Sequence, residues 1–229
     1  MKAILKKYSF LSKIAVFIGI PLLVYFLQDF PRRTVLKESL SVLTILSFTF
    51  MGGQFYLTRG YRAVENKGRM GDIVKAHKFI GYFFGAVLLF HPYFIVFPRY
   101  FEGGVKPLGA LWQIVTTLEN SGVVLGIIAW FMMIVLGISS LLRRKLFKSY
   151  RMWRWFHGLL SLLFIGLAAG HVITLGRHSA PVMTIFYLLL ISGGVTVLVK
   201  TYISEMVIKK GLQEWLNVKE ELPLAEENL

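Results

Sequence analysis

The chain has 229 residues, of which 55% are hydrophobic, with a mean hydropathy of +0.62 and a formal net charge of +14 at pH 7. This composition fits a polytopic membrane protein better than a soluble domain, which must keep a polar surface. The sequence has no cysteine, which excludes disulfides and thiolate metal sites.

Apolar stretches long enough to cross a hydrocarbon core of about 30 Å recur along the chain. They predict an all-α fold, a bundle of six transmembrane helices near residues 10–28, 36–57, 73–97, 122–142, 153–175 and 181–202. Pro21 is expected to interrupt the regular hydrogen bonding of the first span. The stretch Leu108–Leu118 predicts a short interfacial helix, and Trp153 and Trp155 are interpreted as an anchor at the inner interface.

The positive charge is distributed unevenly between the ends of the predicted spans. Twenty of the 26 Lys and Arg residues belong to one set, namely Lys2, Lys6, Lys7, Lys13, Arg59, Arg62, Lys67, Arg69, Lys75, Lys78, Arg143, Arg144, Lys145, Lys148, Arg151, Arg154, Lys200, Lys209, Lys210 and Lys219. The other six are Arg32, Arg33, Lys37, Arg99, Lys106 and Arg177. The positive-inside rule therefore predicts that both termini lie in the cytoplasm and that the chain is a multi-pass protein of the inner (plasma) membrane. Alternation of this kind argues for contact with membrane lipid and against nucleic-acid binding.

These features divide the chain into three predicted segments. Residues 1–35 form the first helix and an outer turn, residues 36–202 form the main transmembrane domain, and residues 203–229 form a cytoplasmic tail rich in glutamate.

Four of the five histidines form two pairs with the same spacing, His77/His91 in the third span and His157/His171 in the fifth. Fourteen residues is almost four helical turns, so the members of a pair share one helix face about 21 Å apart along the axis. An ionisable side chain within an apolar span indicates a functional site. Both spans start on the cytoplasmic side, which predicts that His77 lies opposite His157 and His91 opposite His171.

Two facing imidazoles at each of two levels are the donor set that haem requires, because the macrocycle supplies the other four nitrogens. A mononuclear zinc or non-haem iron site needs more ligands at each level. The carboxylates Glu38, Asp72 and Glu119 fall only at span boundaries. The pattern therefore predicts two haems held without covalent attachment, since no C-x-x-C-H motif is present.

Other residues are candidates for contacting these haems. Phe84 and Phe164 lie halfway between the paired histidines, either as an aromatic layer between the haems or as ordinary core filling. Gly81, Gly85, Gly166 and Gly170 lie on the same two helices, where they allow close approach of a flat macrocycle or of another helix. The candidate partners of the haem propionates are Lys75, Lys78, Arg151 and Arg154 on the inner side and Arg99 and Arg177 on the outer side, with His178 a weaker candidate. The positive-inside rule alone would also place the four inner residues there.

The histidine pairs in the third and fifth helices, with W-R-W-F-H opening the fifth, resemble the ferric reductase-like transmembrane domain superfamily of NADPH oxidases and ferric-chelate reductases. The resemblance covers about residues 36–202. It implies two b-type haems that move electrons from the cytoplasm to the outer face, with His77 and His157 as inner ligands and His91 and His171 as outer ligands. The segment Gly126–Trp130 also resembles the haem-binding membrane subunit of the bacterial methionine sulfoxide reductase system.

Large members of this superfamily continue into a cytoplasmic flavin and NADPH domain. The sequence has 27 residues after position 202 and no dinucleotide-binding glycine fingerprint. We therefore expect a stand-alone electron-transfer membrane subunit of an oxidoreductase, with no catalytic side chain of its own. Its electron donor would be a separate cytoplasmic flavoprotein or ferredoxin-like protein docking on the basic segments Arg59–Lys78 and Arg143–Arg154. Its acceptor at the outer face would be ferric iron, oxygen, a quinone or a partner protein.

Two alternatives remain open at this point. A quinone-linked respiratory cytochrome b subunit would need a polar pocket near an interface, to which Gln54, Tyr56 or Gln113 could contribute. A non-redox transporter could use the histidines as a proton or metal relay. Transporters tend to have broken helices and carboxylates at mid-membrane, and the sequence indicates neither.

Overall fold

The structure, a computed structural model, describes residues 11–59, 70–102 and 106–226, and the regular secondary structure within these ranges is entirely helical. The helices are α1 (Leu11–Leu27), α2 (Val35–Arg59), α3 (Met70–Val96), α4 (Arg99–Glu102), α5 (Pro107–Thr116), α6 (Ser121–Leu141), α7 (Arg143–Leu146), α8 (Tyr150–Leu175) and α9 (Pro181–Glu226). The predicted all-α class is confirmed for this part of the chain. The basic residues Lys2, Lys6, Lys7, Arg62, Lys67 and Arg69 lie outside the described residues.

Five of the six predicted spans appear as helices long and apolar enough to cross a membrane. They cover Val35–Leu57, Gly71–Phe101, Ser121–Leu141, Tyr150–Leu175 and Pro181–Ile208. The chain is therefore a multi-pass membrane protein. The first predicted span appears as the shorter apolar helix α1, and the residues before Leu11 lie outside the described part. A sixth span remains a prediction.

The first helix is irregular next to its proline, as the sequence predicts. A π-helical turn over Ala15–Gly19 precedes the regular segment Ile20–Leu27, in which Pro21 occupies the first turn. Proline has no N–H to donate and its ring crowds the carbonyl four residues earlier, so a wider turn is tolerated directly before it.

Two further sequence expectations can be compared with the helix bounds. The predicted interfacial helix at Leu108–Leu118 is present as α5, two residues earlier at its end. The sixth predicted span, near 181–202, is the first part of a helix that continues without a break to Glu226, where the sequence predicts a separate short helix in the tail. The segment after residue 202 is rich in Glu, Leu and Lys, which lose little side-chain freedom in a helix, so the helical backbone continues beyond the apolar part.

Contacts between helices show which of their ends lie together. At one end Gln54 of α2 donates to the carbonyl of His77 in α3 (3.2 Å), and Tyr202 of α9 donates to the carbonyl of Arg154 in α8 (3.2 Å). We call this the basic end. At the other end, the Glu38 end, the Glu38 carboxylate of α2 accepts from Tyr25 of α1 and from Arg177 after α8. Successive long helices are therefore antiparallel, and α3 and α8 run in the same direction.

The helices that carry the paired histidines are held by their neighbours rather than mainly by each other. Helix α6 packs along α8, and α2 packs between α3 and α9. The innermost side chains of this scaffold include Ile165, Met183, Tyr187 and Thr49, each at most 2% exposed. Large apolar side chains such as Leu189 and Phe131 are exposed on the outside of the bundle, as expected of a surface that faces lipid.

Candidate functional site

The four paired histidines meet as the sequence predicts. The ring centroids of His77 and His157 lie 6.4 Å apart with an interplanar angle of 72°, and those of His91 and His171 lie 6.1 Å apart with an angle of 66°. The first pair lies toward the basic end and the second toward the Glu38 end. Both pairs join the parallel helices α3 and α8, so the equal spacing within each helix produces matched levels between them.

These separations suit two axial ligands of one metal ion. An imidazole nitrogen binds a metal at about 2.0–2.1 Å. Because the ring centroid lies about 1.1 Å behind the ligating nitrogen, two imidazoles on opposite sides of one iron have centroids about 6 Å apart. The observed 6.4 and 6.1 Å match this value at both levels. The donor sets present therefore fit haem.

The hydrogen bonds of the second pair set the protonation of both rings. His171 Nδ1 lies 2.8 Å from the carbonyl oxygen of Gly122, and His91 Nδ1 lies 2.6 Å from that of Leu88. A carbonyl oxygen only accepts, so each Nδ1 carries the proton and donates it. The lone pair is then on Nε2, the nitrogen left for a metal, which is the usual arrangement of a ligating histidine.

The first pair is supported mainly through ring stacking and the backbone. The indole of Trp153 stacks on the His157 ring, with centroids 5.1 Å apart and an angle of 29°. Ser161 donates from its hydroxyl to the His157 carbonyl (2.6 Å), and Gln54 donates to the His77 carbonyl. These contacts restrain the orientation of His157 and the backbone position of both histidines.

Helix α6 supplies support that the sequence reasoning did not assign. A Cβ added to Gly126 would lie 2.5 Å from His171 Nδ1 and 2.7 Å from Cε1, so the imidazole packs directly on the glycine backbone. Gly122, one turn earlier, provides the carbonyl that accepts from the same ring. The signal in the sequence is Gly122-x-x-x-Gly126, a spacing that places two glycines on one face of a membrane helix.

Helix α6 also bonds to the backbone of α3 near the other histidine of the second pair. The Trp130 indole donates from Nε1 to the carbonyl of Leu89 in α3 (2.9 Å), two residues before His91. One helix therefore contacts the ring of His171 and fixes the α3 backbone beside His91.

The glycines of the histidine helices fall into two groups. Added Cβ atoms at Gly85 and Gly166 would meet nothing within 4 Å, whereas one at Gly81 would meet Gln54 at 3.5 Å and one at Gly170 would meet Leu125 at 3.0 Å. Gly81 and Gly170 thus serve helix packing, while Gly85 and Gly166 border open space.

The two phenylalanines between the levels have packed surroundings. The Phe84 ring stacks on Phe50 of α2, with centroids 4.4 Å apart and an angle of 5°, and it contacts Phe83 at 5.0 Å. Phe164 is buried in the core with 5% of its surface exposed. Both rings belong to the helix packing, and an aromatic layer between two haems remains a prediction.

The candidate propionate partners differ in their surroundings. Arg154 forms an ion pair with Glu205 of α9, and Arg177 forms one with Glu38 at 3.3 Å and also donates to the Pro31 carbonyl. The remaining four are exposed, namely Lys75, Lys78, Arg99 and Arg151. Two of the six are therefore already engaged by the protein, and their role toward a propionate remains a prediction.

His178 lies in a separate cluster at the Glu38 end. Its ring, 8% exposed, is 4.8 Å from the Tyr25 ring and 5.2 Å from the Phe30 ring, and Nε2 lies 3.8 Å from Glu38 Oε2. Burial lowers the pKa of His178 below its ordinary value, against the opposing effect of Glu38. The imidazole is therefore neutral at pH 7 and ties the α8–α9 connection to α1 and α2.

Other polar residues considered for a binding role have structural partners or are exposed. Tyr56 donates to the Leu190 carbonyl (2.7 Å) and Gln54 to that of His77, while Gln113 is exposed on α5. In the described ranges, no group of three or more His, Cys, Asp or Glu side chains is placed to hold a metal ion.

Comparison with known proteins gives the family. The model of the family described as "Ferric reductase like transmembrane component" matches residues 43–168, more than half of the chain. The chain belongs to this family. The match includes His77, His91 and His157 and ends three residues before His171. Proteins with this domain generally bind haem.

A relative from Archaeoglobus fulgidus, described as an uncharacterized protein, is 47% identical over 186 residues, which cover 81% of this chain and 98% of the relative. No solved structure matches the chain.

Proposed function

We propose that the chain is a di-haem b-type cytochrome that transfers single electrons across the membrane. His77 and His157 would hold one haem and His91 and His171 the other. The observation that carries the proposal is the pair of imidazole separations, 6.4 and 6.1 Å, at two levels of the same two helices. Membership of the ferric reductase-like family supports it independently.

When bound, each haem would supply an iron that changes its charge by one electron without moving atoms between molecules. The residues of the chain position and insulate it. The Gly122 and Leu88 carbonyls hold His171 and His91 with Nε2 as the lone-pair nitrogen. Trp153 holds the His157 ring by stacking. The helices that carry the two levels are apolar, and apolar surroundings would help to set a haem potential.

The charge distribution supports an orientation of the chain in the membrane. The basic end would face the cytoplasm of the cell that bears the protein in its plasma membrane, because basic residues accumulate on that side. The electron donor would be a cytoplasmic flavoprotein or ferredoxin-like protein. The acceptor would meet the Glu38 end and would be ferric iron, oxygen, a quinone or a partner protein.

A difference spectrum tests the proposal directly. The purified protein, expressed with sufficient haem, should show the sharp bands of low-spin b-type haem in a dithionite-reduced minus oxidised spectrum, with two haems per chain. A protein purified without haem, or one without a change on reduction, would refute the assignment.

Single substitutions of the paired histidines assign the two levels. His77→Ala or His157→Ala should each remove one haem, and His91→Ala or His171→Ala should each remove the other. His178→Ala is the matched control, since it changes a buried histidine outside the pairs and should leave two haems. Loss of haem from the control equal to that from the other variants would contradict the assignment.

A further inference from the structure

A run of aromatic rings connects the surface of the basic end with the first histidine pair. Tyr150, Trp153 and His157 follow each other at intervals of three and four residues, which places them on one face of α8. The ring centroids of Tyr150 and Trp153 are 5.4 Å apart, and those of Trp153 and His157 are 5.1 Å apart. Tyr150 is 64% exposed, whereas Trp153 is half-buried. The stack therefore extends from the surface to a residue of the first pair.

Cations surround the outer end of this stack. The guanidinium of Arg143 lies 5.3 Å from the Trp153 centroid and 5.7 Å from that of Tyr150, so it contacts both rings by cation–π interaction. Together with this arginine, four exposed basic residues form what we call the docking patch, namely Arg144, Lys145, Lys148 and Arg151. Residues 142–153 contain no carboxylate, and within the described ranges none of the five cations has an ion-pair partner. Their charge is thus available to another molecule.

We propose that the docking patch binds an acidic one-electron donor protein and that Trp153 couples this protein electronically to His157. The inference rests on the proposed function and assigns the donor one place of contact. One electron would leave a reduced flavin or iron–sulfur centre of the donor and would reduce, from ferric to ferrous, the haem that His77 and His157 would hold. No bond forms or breaks, and Trp153 acts as the packed medium between the two centres without being oxidised or reduced itself.

Anionic lipid is the other class of partner for a basic surface at a membrane interface. A lipid-binding patch requires only cations and interfacial aromatic residues. It does not require an indole stacked on a half-buried histidine, or an arginine in cation–π contact with the same indole. Trp155 provides the comparison, because it stacks on Tyr202 of α9 (4.2 Å, 16°) and so serves as an ordinary packing residue. The Trp153 contacts therefore favour a donor protein.

The docking step is tested by charge reversal in the haem-loaded full chain, reconstituted in nanodiscs of neutral phosphatidylcholine. The probes are reduced [2Fe–2S] ferredoxin for stopped-flow reduction of haem and oxidised ferredoxin for binding titration. Lys145→Glu should weaken binding and lower the second-order rate constant about 10-fold at low ionic strength, with the difference lost at 0.5 M salt, roughly the regime of strong screening. Lys106→Glu, an exposed lysine in the connection before α5, is the matched control and should change neither.

The coupling step is tested at saturating ferredoxin. Trp153→Leu should slow haem reduction about 10-fold with an unchanged dissociation constant, and Trp153→Phe should restore most of the rate. The EPR spectrum of the oxidised protein gives a second readout. The low-spin signal of one haem should shift in Trp153→Leu, because the imidazole of His157 loses the ring that orients it. Trp155→Leu should leave the rate and the signal unchanged.

Three results would overturn the inference. The first is equal binding and equal rates for Lys145→Glu and the Lys106→Glu control. The second is absence of ferredoxin binding combined with binding of the patch to phosphatidylserine nanodiscs, which would assign it to lipid. The third is an unchanged rate and EPR signal in Trp153→Leu. These failures differ from failure of the proposed function, because they are measured on a protein already shown to carry two dithionite-reducible haems.

Discussion

The contact between Gly126 and His171 permits a sharp prediction for the second histidine pair. Gly126→Ala adds one methyl group, whose carbon would lie 2.5 Å from His171 Nδ1, 2.7 Å from Cε1 and 3.0 Å from Cγ. Ordinary contact begins near 3.4 Å, so either the imidazole or helix α6 must move by about 0.9 Å. The ring is hydrogen-bonded through Nδ1 to Gly122 at 2.8 Å, so the same movement breaks this bond.

The size of the effect follows from two independent estimates. Overpacking of a close contact costs about 1–3 kcal/mol. Loss of a partner that orients a metal-binding histidine lowers metal affinity by about 10–100-fold, which corresponds to about 1.4–2.7 kcal/mol. The two ranges agree. We therefore expect Gly126→Ala to retain the haem at His77/His157 and to lose most of the haem at His91/His171.

The assay is the haem content per chain after purification, together with the difference spectrum. Gly137→Ala is the matched control, because it makes the same change in the same helix where an added Cβ meets nothing within 4 Å. Gly137→Ala should keep two haems and, as alanine is a better helix former, should not lower the unfolding temperature. Two haems with an unchanged spectrum in Gly126→Ala would refute the reasoning that α6 positions His171.

Three further predictions concern the two ends of the bundle. Glu38→Gln should lower the free energy of unfolding by about 1–3 kcal/mol, because the Glu38 carboxylate accepts from Tyr25 and pairs with two arginines. Glu119→Gln, at an exposed position, is the control and should be neutral. Equal unfolding temperatures for the two variants would contradict this prediction. Burial lowers the pKa of His178 below 6.5, so the unfolded chain binds more protons there and stability should fall as the pH drops through and below 6.5. Thermal unfolding between pH 7.5 and 5 should show a weaker pH dependence in His178→Phe than in wild type, and parallel curves would exclude this effect. Gly158→Ala should destabilise the protein, because the added Cβ would collide with the Tyr202 hydroxyl. In a double-mutant cycle, adding Tyr202→Phe to the same chain should recover part of the lost stability. Full additivity of the two changes in unfolding free energy would show that the two sites are independent.

The histidine pairing illustrates how far the sequence reaches. Each histidine pair has a spacing of fourteen residues, and the alternation of basic residues indicates that the two helices run in parallel. These two features were sufficient to predict His77 opposite His157 and His91 opposite His171. The structure places both pairs within 6.4 Å. The prediction works because helical rise is the same in every helix, so a sequence interval converts directly into a depth.

The supporting contacts could not be derived in this way. Gly126 and Trp130 appeared in the sequence only as part of a family resemblance, yet one packs on the His171 ring and the other bonds to the α3 backbone. Arg154 and Arg177, two of the candidate propionate partners, have carboxylate partners on other helices that the sequence did not indicate. Each of these contacts depends on the rotation of one helix about its axis relative to another, which a hydropathy pattern does not specify.

The sequence by itself was sufficient to predict the all-α class, five helices long and apolar enough to cross a membrane, and the opposition of the four histidines at two levels. These properties depend on composition, helical periodicity and sequence intervals, all of which are local. The tertiary structure decided which neighbours hold each ring. Helix α6 accepts a hydrogen bond from His171, and Trp153 stacks on His157. Glu38 of α2 contacts Arg177 and His178 in the connection after α8. These contacts join residues from 4 to 139 positions apart, and beyond a single helix turn only the packing of helices against one another brings such residues together.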